Sequence, residues 1–314
     1  MDRNRMFFCP GFGERLNTEA MSTFLATEVF GCSGFSNLLQ ARYNQMGRLF
    51  RDTPYNDFRW NLDPDCGNRA DAAKPDARLI VPRDRLQNAP RNVTELFCHD
   101  NFGHDMPVWV TYNNDPNVRR VMIVSQDPLR TNDESGYLYL STPFGVHSRD
   151  FEEEGHMDPR IEMILTAFLD EGFCVYLTDG LKFYATERRR EKEIKIIQEY
   201  VRRNENGYRG LFSTVMDWEI EHFVPHLIIT MGVMVRGSEW TQSRLSIVQH
   251  PRYGYAPKRP FDGTQAFREC NVMTLVHPSR ADIWVRKWKL AGNAQDYFDG
   301  ATRIAIECLN RPRS

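Results

Sequence analysis

No apolar run in the 314-residue sequence approaches the roughly 20 residues that a membrane-spanning helix requires. The first residues, MDRNRMFFCPGFGERL, contain no long apolar segment either and do not look like a secretory signal peptide. A hydrophobic content of 41% still allows a sizeable core. We therefore expect a soluble, cytoplasmic protein, folded as one large domain or two smaller ones, that does not bind membranes.

A strong net charge and paired cysteine motifs are also missing. The formal net charge is −2 at pH 7, so any contact with nucleic acid must come from a local basic patch. The seven cysteines contain no C-x-x-C pair, and their number is odd. This pattern favours free thiols in a reducing compartment over a disulfide framework.

The most informative stretch is residues 118–148. It begins with the run VMIV at residues 121–124, which is short, apolar and typical of a buried strand. The residues SQDP follow directly, so that Asp127 lies just past the carboxyl end of the predicted strand. Open α/β sheets place their chemistry at this position, although a lone Asp there is more often a turn or capping residue.

A second apolar strand, far away in sequence, ends in a histidine. Residues 271–279 read NVMTLVHPS, and His277 follows the predicted strand as Asp127 follows the first one. A single histidine beside a proline is more often structural than catalytic. The combination is more informative, because two strands would bring one carboxylate and one imidazole to the same edge of a sheet.

The sequence between these two strands contains patterns that are typical of helices. Residues 159–171 predict an amphipathic helix with Asp158 as its N-cap and Gly172 after its end, and a strand at 173–178 follows at once. This order predicts a βαβ unit and a parallel sheet. Residues 186–204 predict another helix, whose interleaved basic and acidic side chains suit either a solvated face or a phosphate-binding face.

The first third of the chain is less readable. Apolar spacing predicts helices at 18–30 and 35–50, and a breaker-rich linker spans 53–76. We divide the chain into an N-terminal region, residues 1–117, of mostly helical or irregular structure and unknown role, and an α/β catalytic domain, residues 118–314. The N-terminal region is either an appended domain or an elaboration packed on the catalytic core.

Together these motifs resemble the uracil-DNA glycosylase superfamily. The family's first motif is a strand followed by G-Q-D-P, which is SQDP at 125–128 here, and its last is a strand followed by H-P-S, which is residues 277–279. Residues 173–178 and 225–232 look like the two strands between them. The resemblance covers residues 118–288. It implies an α/β fold with a central parallel four-stranded sheet flanked by helices, here with an additional N-terminal region.

The resemblance also implies roles for the motif residues. Asp127 would orient a water and stabilise the cationic sugar, and His277 would hold the anion that develops on the departing base. The H-P-S loop in the family grips phosphate and inserts a side chain into the duplex while the target base is flipped out. Contacts with DNA are therefore expected from Ser148, Pro278, Ser279, Arg280, Ile283 and Trp284. The inserted side chain would be Arg280, Ile283 or Trp284, since Ala281 stands where relatives often have Leu.

The base pocket departs from the uracil-specific branch. Leu129 stands where that branch has a Tyr that excludes C5 substituents, Leu140 stands where it has a stacking Phe, and Thr178 stands where it has an Asn that reads the base edge. The pocket residues would be Gln126, Leu129, Leu140, Phe144, Thr178 and Asp179. The changes indicate either a wider pocket for a 5-modified pyrimidine, such as a hypermodified cytosine of viral DNA, or uracil excision with different residues.

We therefore predict a monofunctional DNA glycosylase that acts as a monomer on DNA, because no Lys occupies the motif positions as a Schiff-base nucleophile. The alternatives are a conventional uracil-DNA glycosylase of base excision repair and a non-catalytic DNA-binding protein on the same scaffold. Neither metal nor organic cofactor is expected. Some relatives carry an iron–sulfur cluster on four cysteines, but the candidates here lack the usual close pair; they are Cys9, Cys32, Cys66 and Cys98.

Overall fold

The computed structural model describes residues 2–13, 16–31, 33–52, 58–61, 101–125, 137–147, 157–189, 192–195, 197, 208–231, 249–250, 254–255, 272–278, 281–287 and 293–310. No helix within these residues is long and apolar enough to cross a membrane.

A six-stranded sheet forms the centre of the fold. In spatial order its strands are β1 (Phe7–Phe8), β4 (Val108–Thr111), β7 (Cys174–Asp179), β5 (Arg120–Ser125), β10 (Leu227–Met231) and β13 (Val272–Leu275). Strand β5 pairs in parallel with β7 and β10, and β10 pairs in parallel with β13. Strand β4 runs antiparallel to β7, and β1 runs antiparallel to β4. The α/β class is confirmed, but the sheet is mixed and has six strands rather than four.

The helix predicted after the first motif is present as α3 (Pro159–Asp170). The Asp158 carboxylate accepts a hydrogen bond from the Arg160 amide at 2.9 Å, which is the expected N-cap. One face of the helix is buried through Ile161, Ile164, Leu165 and Phe168. Gly172, with φ +77°, then turns the chain into β7, as glycine readily does.

The remaining helices flank the sheet. Helices α1 (Thr18–Phe24) and α2 (Ser36–Asp52) confirm the two N-terminal helices, with a π-helical segment at Leu25–Val29 after α1. Helix α4 (Tyr208–Phe223) precedes β10. Helix α5 (Ala281–Lys287) follows β13, and α6 (Ala294–Asn310) packs against α3.

Residues before 118 build part of the same sheet as the motif strands. Besides the β1 and β4 pairings, the Tyr43 hydroxyl of α2 donates to the Pro107 carbonyl at 2.7 Å. Arg42, which is fully buried, donates to the Leu140 carbonyl at 2.9 Å. Helix α2 therefore contacts the residue just before β4 of the central sheet, and also the segment around Leu140.

The helix predicted at 186–204 is wrong at residues 186–189 and 192–195, whereas Ile197 is helical. Residues in that range form β8 (Tyr184–Arg189) and β9 (Lys192–Lys195), an antiparallel pair. They belong to a second sheet, of order β2-β6-β3-β8-β9, together with β2 (Phe58–Asn61), β3 (Asn101–Asp105) and β6 (Tyr137–Ser141). Strands β11 (Gln249–His250) and β12 (Gly254–Tyr255) form a separate antiparallel pair. Pairing of β8 with β3, which lies about eighty residues earlier in the chain, outweighs the helical preference of the Glu and Arg residues.

His104 joins the second sheet to the core through an uncharged contact. Its ring is fully buried, its Nδ1 lies 2.6 Å from the Lys182 carbonyl oxygen, and the rings of Phe30 and Phe183 lie against it. Burial lowers the pKa of His104 from 6.5 to about 4, because the charged ring would lose its hydration. The neutral ring therefore donates its Nδ1 proton to the Lys182 carbonyl.

The first prediction concerns acid stability. Between pH 6.5 and about 4 the unfolded chain protonates His104 and the folded chain does not, so the unfolded state binds more protons and stability falls as the pH falls. His104 should contribute a loss on the order of 3 kcal/mol across this window. His104→Gln keeps an N–H donor and does not titrate. Urea unfolding at pH 7, 5.5 and 4.5 should show a shallower pH dependence in the variant; identical slopes would contradict the assignment.

Candidate active site

The four parallel strands end level with one another. In the sheet register, Ser125 pairs with Asp179, and Met231 pairs with Leu275. These pairs form the last row of residues across the sheet. In the row one residue earlier, all four strands are aligned at Val124, Thr178, Thr230 and Thr274. In sequence, Asp127 and His277 each come two residues after a member of the last row. Strand β10 separates their strands, so the two motifs leave the sheet about 10 Å apart, or two strand spacings.

The direction of chain crossing changes at β5. From β5 the chain goes to β7 on one side, and from β7 it returns across β5 to β10. Right-handed crossovers place the connecting helices α3 and α4 on opposite faces of the sheet. A crevice forms between strands whose connections leave to opposite faces, which is where open α/β sheets bind ligands. The carboxyl ends of β5 and β10 flank that position here.

Strand β7 holds the start of the first motif. The Ser125 hydroxyl donates a hydrogen bond to the Asp179 carboxylate, and both side chains are buried. The Gly180 amide donates to the Ser125 carbonyl at 2.9 Å. The last residue before Gln126 and Asp127 is thus held through its side chain and its main chain. Gln126, Asp127 and Leu129 themselves lie outside the described residues, as does Ser148.

The second motif is held by helix α3. His277 is half-buried and Pro278 is buried. Arg160 donates from Nη1 to the Pro278 carbonyl at 2.7 Å. Ile283, in the first turn of α5, is 59% exposed, which is unusual for a large apolar side chain. Ser279 and Arg280 lie outside the described residues, and Trp284 is described only as part of the α5 backbone.

Two of the predicted pocket residues, Leu140 and Phe144, lie on β6 and just after it. Leu140 is buried, and Phe144 is half-buried in the turn Pro143–Gly145, where it takes a φ of +58°. That turn contacts β7. A positive φ is costly for a bulky side chain, so the surrounding packing must impose the turn beside the strand that carries Asp179.

Thr178 points away from Asp179, into a buried ion pair. Lys182 donates to both oxygens of Glu219, at 2.8 and 2.9 Å, and to the Thr178 hydroxyl at 2.6 Å. The Thr178 hydroxyl in turn donates to the Glu219 carboxylate at 3.0 Å. Lys182 and Glu219 are fully buried. Burial raises the pKa of Glu219, an effect that the ammonium of Lys182 partly offsets.

The ion pair was not predicted from the sequence, although one of its members carries a readable signal. Glu219 lies on the buried face of α4, among Val215, Met216, Ile220 and Phe223. A carboxylate on an apolar helical face indicates a buried partner. The identity of the partner, Lys182 after β7, follows only from the folded chain.

Cys9, Cys174 and Cys308 are free thiols. Among the residues that the structure describes, no three His, Cys, Asp or Glu side chains are grouped so as to hold a metal ion. Three of the four cysteines considered for an iron–sulfur cluster, Cys32, Cys66 and Cys98, lie outside those residues.

No known protein family matches the sequence, and no curated protein matches it. A function must therefore be inferred from the motifs and from the strands that carry them.

The second prediction concerns the buried ion pair. Lys182→Met leaves Glu219 buried without its cation, which costs about 3–5 kcal/mol of unfolding free energy. Adding Glu219→Gln should restore much of that loss, because the remaining groups are uncharged and can still hydrogen bond with Thr178. Chemical unfolding of both variants measures the difference. Arg303→Met, which removes an exposed cation from α6, should change stability by no more than about 0.5 kcal/mol. If the double variant were as unstable as Lys182→Met, the loss of stability would not come from the unpaired carboxylate of Glu219.

Proposed function

We propose that this protein is a monofunctional DNA glycosylase that hydrolyses the bond between a flipped-out base and its deoxyribose and leaves an abasic site. One observation carries the proposal. The strands that precede the SQDP and HPS motifs lie two positions apart in one parallel array and end level with each other. An acid and an imidazole from these motifs can therefore act on opposite ends of one nucleoside.

The chemistry requires groups at both ends of the scissile bond. As the bond between C1′ and the base nitrogen breaks, its electron pair goes to the base and positive charge develops on the sugar. Asp127 would orient a water whose oxygen bonds to C1′ and would stabilise the cationic sugar. His277 would donate a hydrogen bond to the base oxygen that carries the developing negative charge. The water proton leaves to solvent, and the base is released after protonation.

The buried lysine supports a monofunctional reaction. Formation of a Schiff base with the sugar requires an uncharged, accessible amine. Lys182 is the lysine nearest to the end of β7 in sequence, and its ammonium is buried and bound by Glu219 and Thr178. Water, rather than this amine, would be the nucleophile.

The exposed Ile283 supports an interaction with duplex DNA. Proteins that distort duplexes commonly insert an apolar side chain between base steps. Ile283 follows the H-P-S motif by a few residues and is largely exposed at the start of α5. It is therefore suited to fill the space of a flipped base, while Ser279 and Arg280 would contact phosphate.

The proposed substrate is a 5-modified pyrimidine, such as a hypermodified cytosine of viral DNA, which would give the enzyme an antiviral role. Leu129 in place of Tyr leaves room at C5. The Thr178 hydroxyl is engaged by Glu219 and Lys182, whereas Asp179 lies at the strand end with the Ser125 hydroxyl. A carboxylate there is an acceptor, which suits the exocyclic amine of cytosine better than the carbonyl of uracil.

The third prediction tests the acid. Asp127→Asn should fold normally, bind DNA and lose about 10²–10⁴-fold in the single-turnover rate of base excision, because the neutral amide cannot stabilise the cationic sugar. Alkaline cleavage of abasic sites in end-labelled DNA measures the rate. Wild-type turnover in this variant would remove Asp127 from the mechanism. DNA binding by a wild-type protein that excises no base would instead favour the non-catalytic alternative.

The fourth prediction tests the substrate. Excision should be weak on uracil and stronger on cytosines that are bulky at C5, including glucosylated hydroxymethylcytosine, in a side-by-side assay on duplex and single strands. Leu129→Tyr should lower excision of the bulky base at least tenfold by filling the space at C5, with DNA binding unchanged. Leu129→Met, of similar volume, is the matched control. Uracil release without release of any 5-substituted base would select the conventional uracil enzyme.

A further inference from the structure

Arg160 connects two parts of the chain that meet at the candidate site. It lies in the first turn of α3, and its side chain is 20% exposed. Its Nη1 donates to the Pro278 carbonyl at 2.7 Å, and its Nη2 lies 3.4 Å from Asp282 Oδ2. Its Nε lies 3.4 Å from the Asp158 carboxylate, which also caps the helix. The guanidinium thus contacts an acceptor before its own helix, Asp158, and two acceptors from the second motif and α5, Pro278 and Asp282.

The contact with Pro278 is the most consequential of these. Pro278 is buried, and its carbonyl belongs to the peptide bond between Pro278 and Ser279, one residue after His277. Loss of the donor would leave a poorly solvated carbonyl without its partner, and the loop would have to move to recover a hydrogen bond. Asp282, in the first turn of α5, lies against the same guanidinium, so Arg160 contacts the chain at Pro278 and again at Asp282.

We propose that Arg160 is a positioning residue for His277. Its hydrogen bond to the Pro278 carbonyl fixes the backbone beside His277 and thereby keeps the imidazole aligned with the base. This inference rests on the proposed glycosylase function for its catalytic consequence. The fork of a guanidinium can bind the carbonyl and Asp282 together, whereas an ammonium presents a single point of charge. Arg160 acts on the reaction through His277 and does not contact the DNA.

A kinetic and a binding measurement separate this role from a phosphate contact. Arg160→Ala should lower the single-turnover rate about 10–100-fold, because small displacements of a catalytic group are costly, and should leave the salt dependence of DNA binding unchanged. Arg160→Lys should recover only part of the rate. Arg303→Ala on α6 is the matched control and should behave as wild type. If the salt dependence of DNA binding instead fell by the amount expected for about one lost phosphate contact, and the rate at saturating DNA were unchanged, the proposal would be overturned.

A double-mutant cycle tests whether Arg160 acts through His277. If it does, Arg160→Ala should slow His277→Ala no further, since the group that it positions is already missing. Multiplication of the two rate losses would show that Arg160 acts independently and would overturn the proposal.

A third measurement needs no activity. In protein with ¹³C-labelled histidine, the His277 ring signal is identified by its loss in His277→Ala. Arg160→Ala should shift that signal and leave the His104 signal in place, and Arg303→Ala should shift neither. An unchanged His277 signal in Arg160→Ala would overturn the positioning role. If the wild-type protein excises no base while the signal shifts as expected, the proposed function fails and the structural link between Arg160 and His277 stands.

Discussion

Pairing of β5 with a parallel neighbour on each side is the constraint on which the site depends. Because β5 bonds to β7 and β10 in matched register, the ends of these strands coincide, and β10 carries the same level on to β13. A shift of one residue in any of these pairs would turn the following loop to the other face of the sheet. The hydrogen bonds between these strands therefore determine where the SQDP and HPS motifs begin relative to each other.

Three hydrogen bonds refine this placement. Asp179 and Gly180 hold Ser125, and Arg160 holds Pro278, so each motif is tied to a different neighbouring element. All three hydrogen bonds use groups from the βαβ unit made by β5, α3 and β7 or from the residue that directly follows it. This unit supplies one motif and supports the other. Beneath it, the Lys182–Glu219 pair joins the end of β7 to α4 on the face where Thr178 points. The candidate site therefore lies next to buried charged groups, namely Asp179, Lys182 and Glu219.

Local signals predicted much of the fold. The strands Arg120–Ser125 and Val272–Leu275 and the helix that starts at Pro159 follow from short apolar runs, an N-cap and a terminating glycine. The hairpin of β8 and β9 was missed because its stability comes from β3, a remote strand. For the same reason the partners of Glu219 and Pro278 could not be named: Lys182 and Arg160 become neighbours only when strands and helices assemble. Sequence motifs predict which residues belong to the candidate site, whereas the contacts that support the neighbouring described residues are tertiary.

The strands contributed by the first 117 residues change the meaning of the boundary at residue 118. Strand β4 covers one side of β7, and β1 covers β4 in turn. A shortened chain that began at residue 118 would leave the main-chain N–H and C=O groups along that side of β7 unpaired. Exposed strand edges of this kind pair with other molecules and promote aggregation. Residue 118 therefore marks where the motifs begin in the sequence, and it is a poor place at which to divide the protein.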